Sequence, residues 1–151
     1  MILYALMAVA ASAGPSHNID GSWQCAAYEL QTPEFNAVVA SRYEYASDGT
    51  YKSASTAEYS FGGNKVQVEA TYRGRWTLDG SSLRLITDDV EIAKVVPPVF
   101  TPTEGEDLLR NGSTLGVWHD YEVLQSSPSL IFERVNAPEW LASDQFSCKK
   151  A

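Results

Sequence analysis

His119-Asp120 is the one place where a histidine adjoins a carboxylate in this chain. A histidine oriented by an acid can act as a general base, but hydrolysis also needs a nucleophile within reach and donors for the oxyanion. No Gly-x-Ser-x-Gly elbow accompanies the pair, and a histidine on the rim of a strand is the simpler reading. Asp88, Asp89 and Glu91, and again Glu104, Glu106 and Asp107, gather carboxylates that calcium favours. Neither run has the ligand spacing of a calcium loop closed by a bidentate acid. Two cysteines alone cannot make a zinc site. The expectation is a non-catalytic protein with no cofactor and no metal; an enzyme built on His119 is the minor alternative.

A row of tyrosines says more. Tyr43, Tyr45, Tyr51, Tyr59 and Tyr72 share strand parity with Ser41, Ser53, Ser55, Ala57 and Ala70. If that row faces the inside of a barrel, its serines and alanines are too small to fill it. The space would admit a small, partly apolar ligand, with phenol hydroxyls to orient it. A filled barrel would carry mostly branched aliphatic side chains on that face. In the other reading the tyrosine rings, with Trp23 and Trp76, occupy the space themselves. The sequence leaves both open.

The elements that would hold this row are strands. Gly74 to Leu85 reads as a β-hairpin, with Trp76, Leu78, Leu83 and Leu85 on one face and a turn at Asp79-Gly80-Ser81-Ser82. Its second arm is expected to continue to Val95, with a kink or bulge at Asp88-Asp89. Further strands are expected over Gly21 to Leu30, Ala37 to Ser47, Thr50 to Phe61, Lys65 to Arg73, Gly116 to Gln125 and Leu130 to Val135. Pro97-Pro98 stops the sheet, and from Thr101 to Gly112 the pattern changes to that of a short helix, with a Thr cap, early acids and Arg110 near its end. Leu108 and Leu109 should anchor it. The tail from Asn136, bearing Trp140, Leu141 and Phe146, should dock. Short strands joined in sequence by tight turns indicate an all-β, antiparallel up-and-down barrel, with one short helix before the last two strands.

Met1 to Ala13 carries no charge and ends in Ala11-Ser12-Ala13, the small-x-small pattern of a signal-peptidase site. It reads as a signal peptide without the usual positive n-region, followed by one domain from residue 14 to 151. A buried N-terminal helix is the alternative. The run is shorter than the about 20 apolar residues of a membrane span. Export to the periplasm or outside the cell would let Cys25 and Cys148 pair, a bridge worth about 4 to 5 kcal/mol in chain entropy before native strain. A net charge of −8 argues against nucleic acid and anionic membranes, and permits a basic protein partner.

Gly21-Ser22-Trp23 behind that leader resembles the Gly-x-Trp signature that opens lipocalin and related calycin barrels, and Gly74-Arg75-Trp76 repeats it. The order from Gly21 to Val135, through the central hairpin, the proline break, the short helix and the closing strands, is similar to small secreted bacterial lipocalin-like domains. The resemblance implies a calycin-type β-barrel. It also implies a basic residue from a late strand over the tryptophan, and Arg134 stands where that residue would be. A secreted acidic barrel that inhibits or docks a basic envelope protein is the alternative function.

Overall fold

The alternating runs form strands that pair in sequence. The computed structural model describes residues 16–31, 33, 35–112, 115–139, 141 and 144–151, without the Phe61 side chain. The leader-like run and Trp140 fall outside the described residues. Within them lie β1 (Gly21–Cys25), β2 (Tyr28–Gln31), β3 (Asn36–Tyr45), β4 (Thr50–Phe61), β5 (Asn64–Asp79), β6 (Ser82–Val96), helix α1 (Pro102–Asn111), β7 (Trp118–Gln125), β8 (Ser129–Arg134) and β9 (Gln145–Lys150). Each strand from β2 to β9 pairs antiparallel with the next. β1 lies between β9 and β3 and closes the sheet into a ring.

Three parity changes shape this ring. The inward residues of the first run are Trp23 and Cys25, then Tyr28 and Leu30, so one residue too many lies between them. The expected single strand is therefore broken at Ala26-Ala27, into β1 beside one half of β3 and β2 beside the other. In β6 the buried set moves from Leu83 and Leu85 to Val90 and Ile92, then to Val95. Both moves coincide with register shifts against β5, the first at Asp88, where a bulge was expected. β5 itself runs unbroken through the stretch read as two strands. Gly74 lies opposite that first bulge, and a Cβ there would sit 1.9 Å from the Ile86 carbonyl oxygen and 2.7 Å from the Tyr51 ring. The backbone of β6 and the Tyr51 ring use the space that any side chain would need.

The seam is held by side chains as well as by the ladder. Cys25 and Cys148 face each other across β1 and β9 and are bonded, with Cα atoms 3.8 Å apart. Beside them Trp23, 2% exposed, donates from its indole to the Ile19 carbonyl. Lys150, not Arg134, covers that indole: its Nζ lies 4.2 Å from the ring centroid and donates to the Asp20 carbonyl. The reason is the tail. It pairs as β9 and brings Lys150 level with Trp23, so three strands rather than two follow the helix. Gly21, at φ 113° and with Lys150 Nζ where a Cβ would point, makes the approach possible. Ile19, Trp23, Leu83, Leu130 and Phe132 pack here with the disulfide as the main core, closing one end of the barrel.

α1 does different work from that expected of it. Its cap is Thr101, with Glu104 completing a capping box. Leu108 is 71% exposed; Leu109 and the buried Gly105 face the barrel instead. β6 pairs with β7 only through Ser82 to Ile86, and among the described residues no strand lies beside its remainder on that side. α1 and the segment after it take that edge: Glu106 accepts from Ile92 N, Arg110 donates to the Val90 carbonyl, and Gly116 N donates to the Thr87 carbonyl. A bare edge would otherwise invite pairing with another chain.

Two outcomes follow from the seam and the bulge. Native protein should show no titratable thiol, and Cys25→Ala with Cys148→Ala should lower unfolding free energy by about 2–5 kcal/mol in denaturant melts. Gly74→Ala should be destabilised by roughly 2–4 kcal/mol, although alanine is only one methyl larger; Gly63→Ala, with nothing near its Cβ, should suffer only from its left-handed backbone.

Candidate functional site

Cross-strand partners in an antiparallel sheet point to one face, so the register builds the interior in layers. One layer contains Trp23, Tyr43, Ser53, Tyr72 and Val90. The next towards the opposite end is Ser41, Ser55, Ala70 and Ile92, and below it come Tyr28, Val39, Ala57, Val68 and Val95. Ala37, Tyr59 and Val66 complete that wall. The tyrosine row therefore points inward, interleaved with a belt of serines and alanines. Ser41 and Ser53 are each 4% exposed.

The facing wall is aromatic. Tyr121, Phe132 and Phe146 contact one another edge-on or stacked, and Tyr28 meets Phe146 edge-on at 5.2 Å. Towards the closed end Tyr43 stacks on Tyr45 at 5.6 Å, and Tyr45 meets Trp76 edge-on. Trp76 donates to the Ala46 and Thr50 carbonyls, which ties the second Gly-x-Trp to the β3–β4 turn. Seven of the eight tyrosines lie among the described residues, and none of the seven is exposed. Tyr28 and Tyr121 belong to this set although the inward row read from the sequence omitted them. Parity with Leu30 and with Val123 was the available signal.

The phenols are neutral donors at ordinary pH. Burial raises Tyr43 and Tyr45 well above the usual value, with neighbouring phenols adding to the effect. Burial pushes Tyr72 up to about 12, helped by Tyr59 and Tyr51. Tyr51 is also pushed up to about 12 by burial, partly opposed by its hydrogen bond with the Thr87 hydroxyl. Tyr28 rises through burial and then through Tyr121, Tyr72 and Tyr59, against a smaller lowering by Arg134. Tyr45 Oη is buried with no hydrogen-bond partner among the described residues, a cost of about 1–3 kcal/mol for a buried hydroxyl.

Arg134, on the same parity as Leu130 and Phe132, also turns inward. Its Nη2 lies 2.7 Å from His119 Nδ1, and its guanidinium stands over the Tyr121 ring at 5.8 Å. Asp120 points the other way and pairs with Arg84 at 2.7 Å, because adjacent strand residues face opposite sides. His119 and Asp120 therefore form no dyad. The acidic runs are likewise engaged: Asp88 with Arg75, Asp89 with Arg110, Glu91 with Arg73, Glu104 in the helix cap and Glu106 on the β6 edge. No three potential metal ligands cluster among the described residues.

A groove of about 460 Å³ lies on the outer face of β3–β6, bounded by Glu44, Lys52, Arg73, Arg75 and Asp88. It is open, and Arg75 and Asp88 pair across it through two hydrogen bonds. No protein-family model matches the sequence, and no curated protein matches it. No described helix is long and apolar enough to cross a membrane.

The raised phenols give a signed pH dependence. Between the unfolded value of 10.0 and the folded values of about 12, the native state binds more protons, so stability falls as pH rises through that window. Denaturant midpoints should hold to pH about 10 and drop by about 12. Tyrosinate absorbance should appear together with loss of structure, not before it.

Proposed function

We propose that this chain is a secreted or periplasmic lipocalin-like barrel that holds a small, partly apolar ligand in its interior and catalyses nothing. The observation that carries the reading is the inner wall of β3–β5, where Ser41, Ser53, Ser55, Ala57 and Ala70 alternate with Tyr43, Tyr45, Tyr51, Tyr59 and Tyr72. On this reading the small side chains between the ring layers leave room for the ligand, and neutral phenols supply the few convergent polar groups that fix an apolar body. The orphaned hydroxyl of Tyr45 favours a ligand with a hydrogen-bonding atom on that side.

The lipocalin-like part of the reading rests on Gly21 and Trp23 at the start of β1, the Lys150 ammonium over the indole, and the closure of first strand on last. Export is favoured by the Cys25–Cys148 bridge, since such bonds persist in oxidising compartments, and by the small-x-small site after the apolar leader.

Titration of the full mature chain with the neutral dye N-phenyl-1-naphthylamine tests this. Saturable fluorescence enhancement is expected, and Ala70→Phe, which fills the belt, should weaken it by about ten-fold or more. Absence of dye binding, or binding indifferent to Ala70→Phe in a folded variant, would overturn the reading.

A further inference from the structure

The outer groove on β3–β6 lies over a single register row. Tyr51 and Gly74 are cross-strand partners that turn inward, so their backbone forms its floor. The outward partners on either side stand over that floor: Lys52 with Arg73, and Thr50 with Arg75. Apart from Ala46 and the inward-turned Tyr51, every side chain that lines the groove is charged or carries a hydroxyl. Lys52 and Arg73 face each other directly, a pairing of like charges that lowers stability. Lys52 has no ion pair among the described residues, although Glu44 is its partner on β3. Arg73 reaches Glu91 only at 3.6 Å, with both side chains exposed, and a pair of that kind holds little.

The β6 end of the groove is fixed instead. Arg75 donates to both carboxylate oxygens of Asp88, at 2.8 and 2.9 Å. Trp118 lies against Arg75 at 5.6 Å and against Arg84 at 5.2 Å, and Arg84 pairs with Asp120. Asp88, Arg75, Trp118, Arg84 and Asp120 thus make one continuous row, which holds that wall still. In a chain of net charge −8, the groove gathers three cations to two carboxylates, and Asp88 is already engaged by Arg75. What remains is two weakly neutralised cations from facing strands, the Glu44 carboxylate, and the Thr50 hydroxyl, whose proton goes to Asp48 and whose oxygen can still accept. Donors approaching from opposite sides suit a tetrahedral oxyanion, which accepts in several directions, better than a carboxylate, which accepts in its plane. Carboxylate and hydroxyl acceptors beside them suit hydroxyl donors.

We propose that this groove is a second binding site, separate from the barrel interior, for the phosphate or sulfate ester of a sugar. The ester lies between Lys52 and Arg73, and the sugar hydroxyls donate to Glu44 and Thr50. A volume of about 460 Å³ has room for one such ring.

Titration of the full mature chain with glucose 6-phosphate, glucose 6-sulfate, inorganic phosphate and glucose, followed by amide NMR at neutral pH and low salt, tests this. At least one ester should shift the Lys52, Arg73 and Gly74 amides saturably, and about five-fold or more tightly than glucose or inorganic phosphate. Which ester does so tells phosphate from sulfate. Lys52→Gln and Arg73→Gln should each remove most of that preference. Because Lys52→Gln also ends the like-charge pairing, its denaturant midpoint should equal that of wild type or exceed it. Equal binding of glucose and both esters overturns the proposal, as do shifts confined to residues away from the groove, or ester binding that survives when both cations are replaced. A lowered midpoint in Lys52→Gln also overturns it, by making that lysine structural. Inorganic phosphate bound as tightly as the esters would mean an adventitious ion only.

Discussion

Everything in this barrel depends on how its first strand is seated between its last strand and β3. β1 has only five residues, too few to hold a ring closed by ladder hydrogen bonds alone. The closure is concentrated instead at one spot, where the Cys25–Cys148 bond, the buried Trp23 indole and the Lys150 ammonium above it stand side by side. Each depends on the others. The bond fixes β9 in register, the register brings Lys150 level with Trp23, and Gly21 leaves room for it. A cation on indole contributes roughly 0.5–2 kcal/mol, more as water is excluded, and here it also shields the edge of the main core.

A second constraint is unequal strand length. β4, β5 and β6 have 12, 16 and 15 residues, whereas β7, β8 and β9 have 8, 6 and 6. The long wall therefore overruns the short one and leaves the far half of β6, paired with β5 on one side, without a described strand on the β7 side. α1 answers that need, which explains why its polar residues Glu106 and Arg110 face the sheet edge while Leu108 remains outside. The helix is short, and its capping box and edge hydrogen bonds make up for what its two leucines alone cannot supply.

The same asymmetry gives the interior its character. The main core lies at the seam end, and beyond the serine belt two further apolar clusters, one of Val66, Val68, Ala70, Val90, Ile92 and Val95 and one of Ala37, Val39 and Ala57, pack with the tyrosines. Bulges at Asp88 and Ala93 turn β6 so that Val90, Ile92 and Val95 keep facing inward, and Gly74 lets β5 and the Tyr51 ring approach the first of them. Polar groups in such a compartment are either paired or costly. Tyr51 has Thr87, Trp76 has two carbonyls and Arg134 has His119 and Tyr121, whereas Tyr45 Oη has no partner among the described residues.

Alternation alone determined most of the fold. Side-chain period two in Lys65 to Arg73, Trp76 to Leu78 and Thr50 to Phe61 identified strands, the Gly-rich turns joined neighbours, and the Asp88-Asp89 break marked a bulge. The inward row of Tyr43, Tyr45, Tyr51, Tyr59 and Tyr72 was readable because period two assigns every residue of a strand to one face or the other. What tertiary structure decided is what lies far apart in sequence. The tail gave no strand signal in Gln145 to Lys150, since its six residues have just two inward positions that matter, and only pairing with β1 and β8 makes them a strand. That pairing put Lys150, not Arg134, over Trp23. It left Arg134 facing the phenols, whereas alternation along β7 alone turns Asp120 away from His119. Parity predicts a face; which neighbour waits there depends on register, and register is set by the whole ring closing at once.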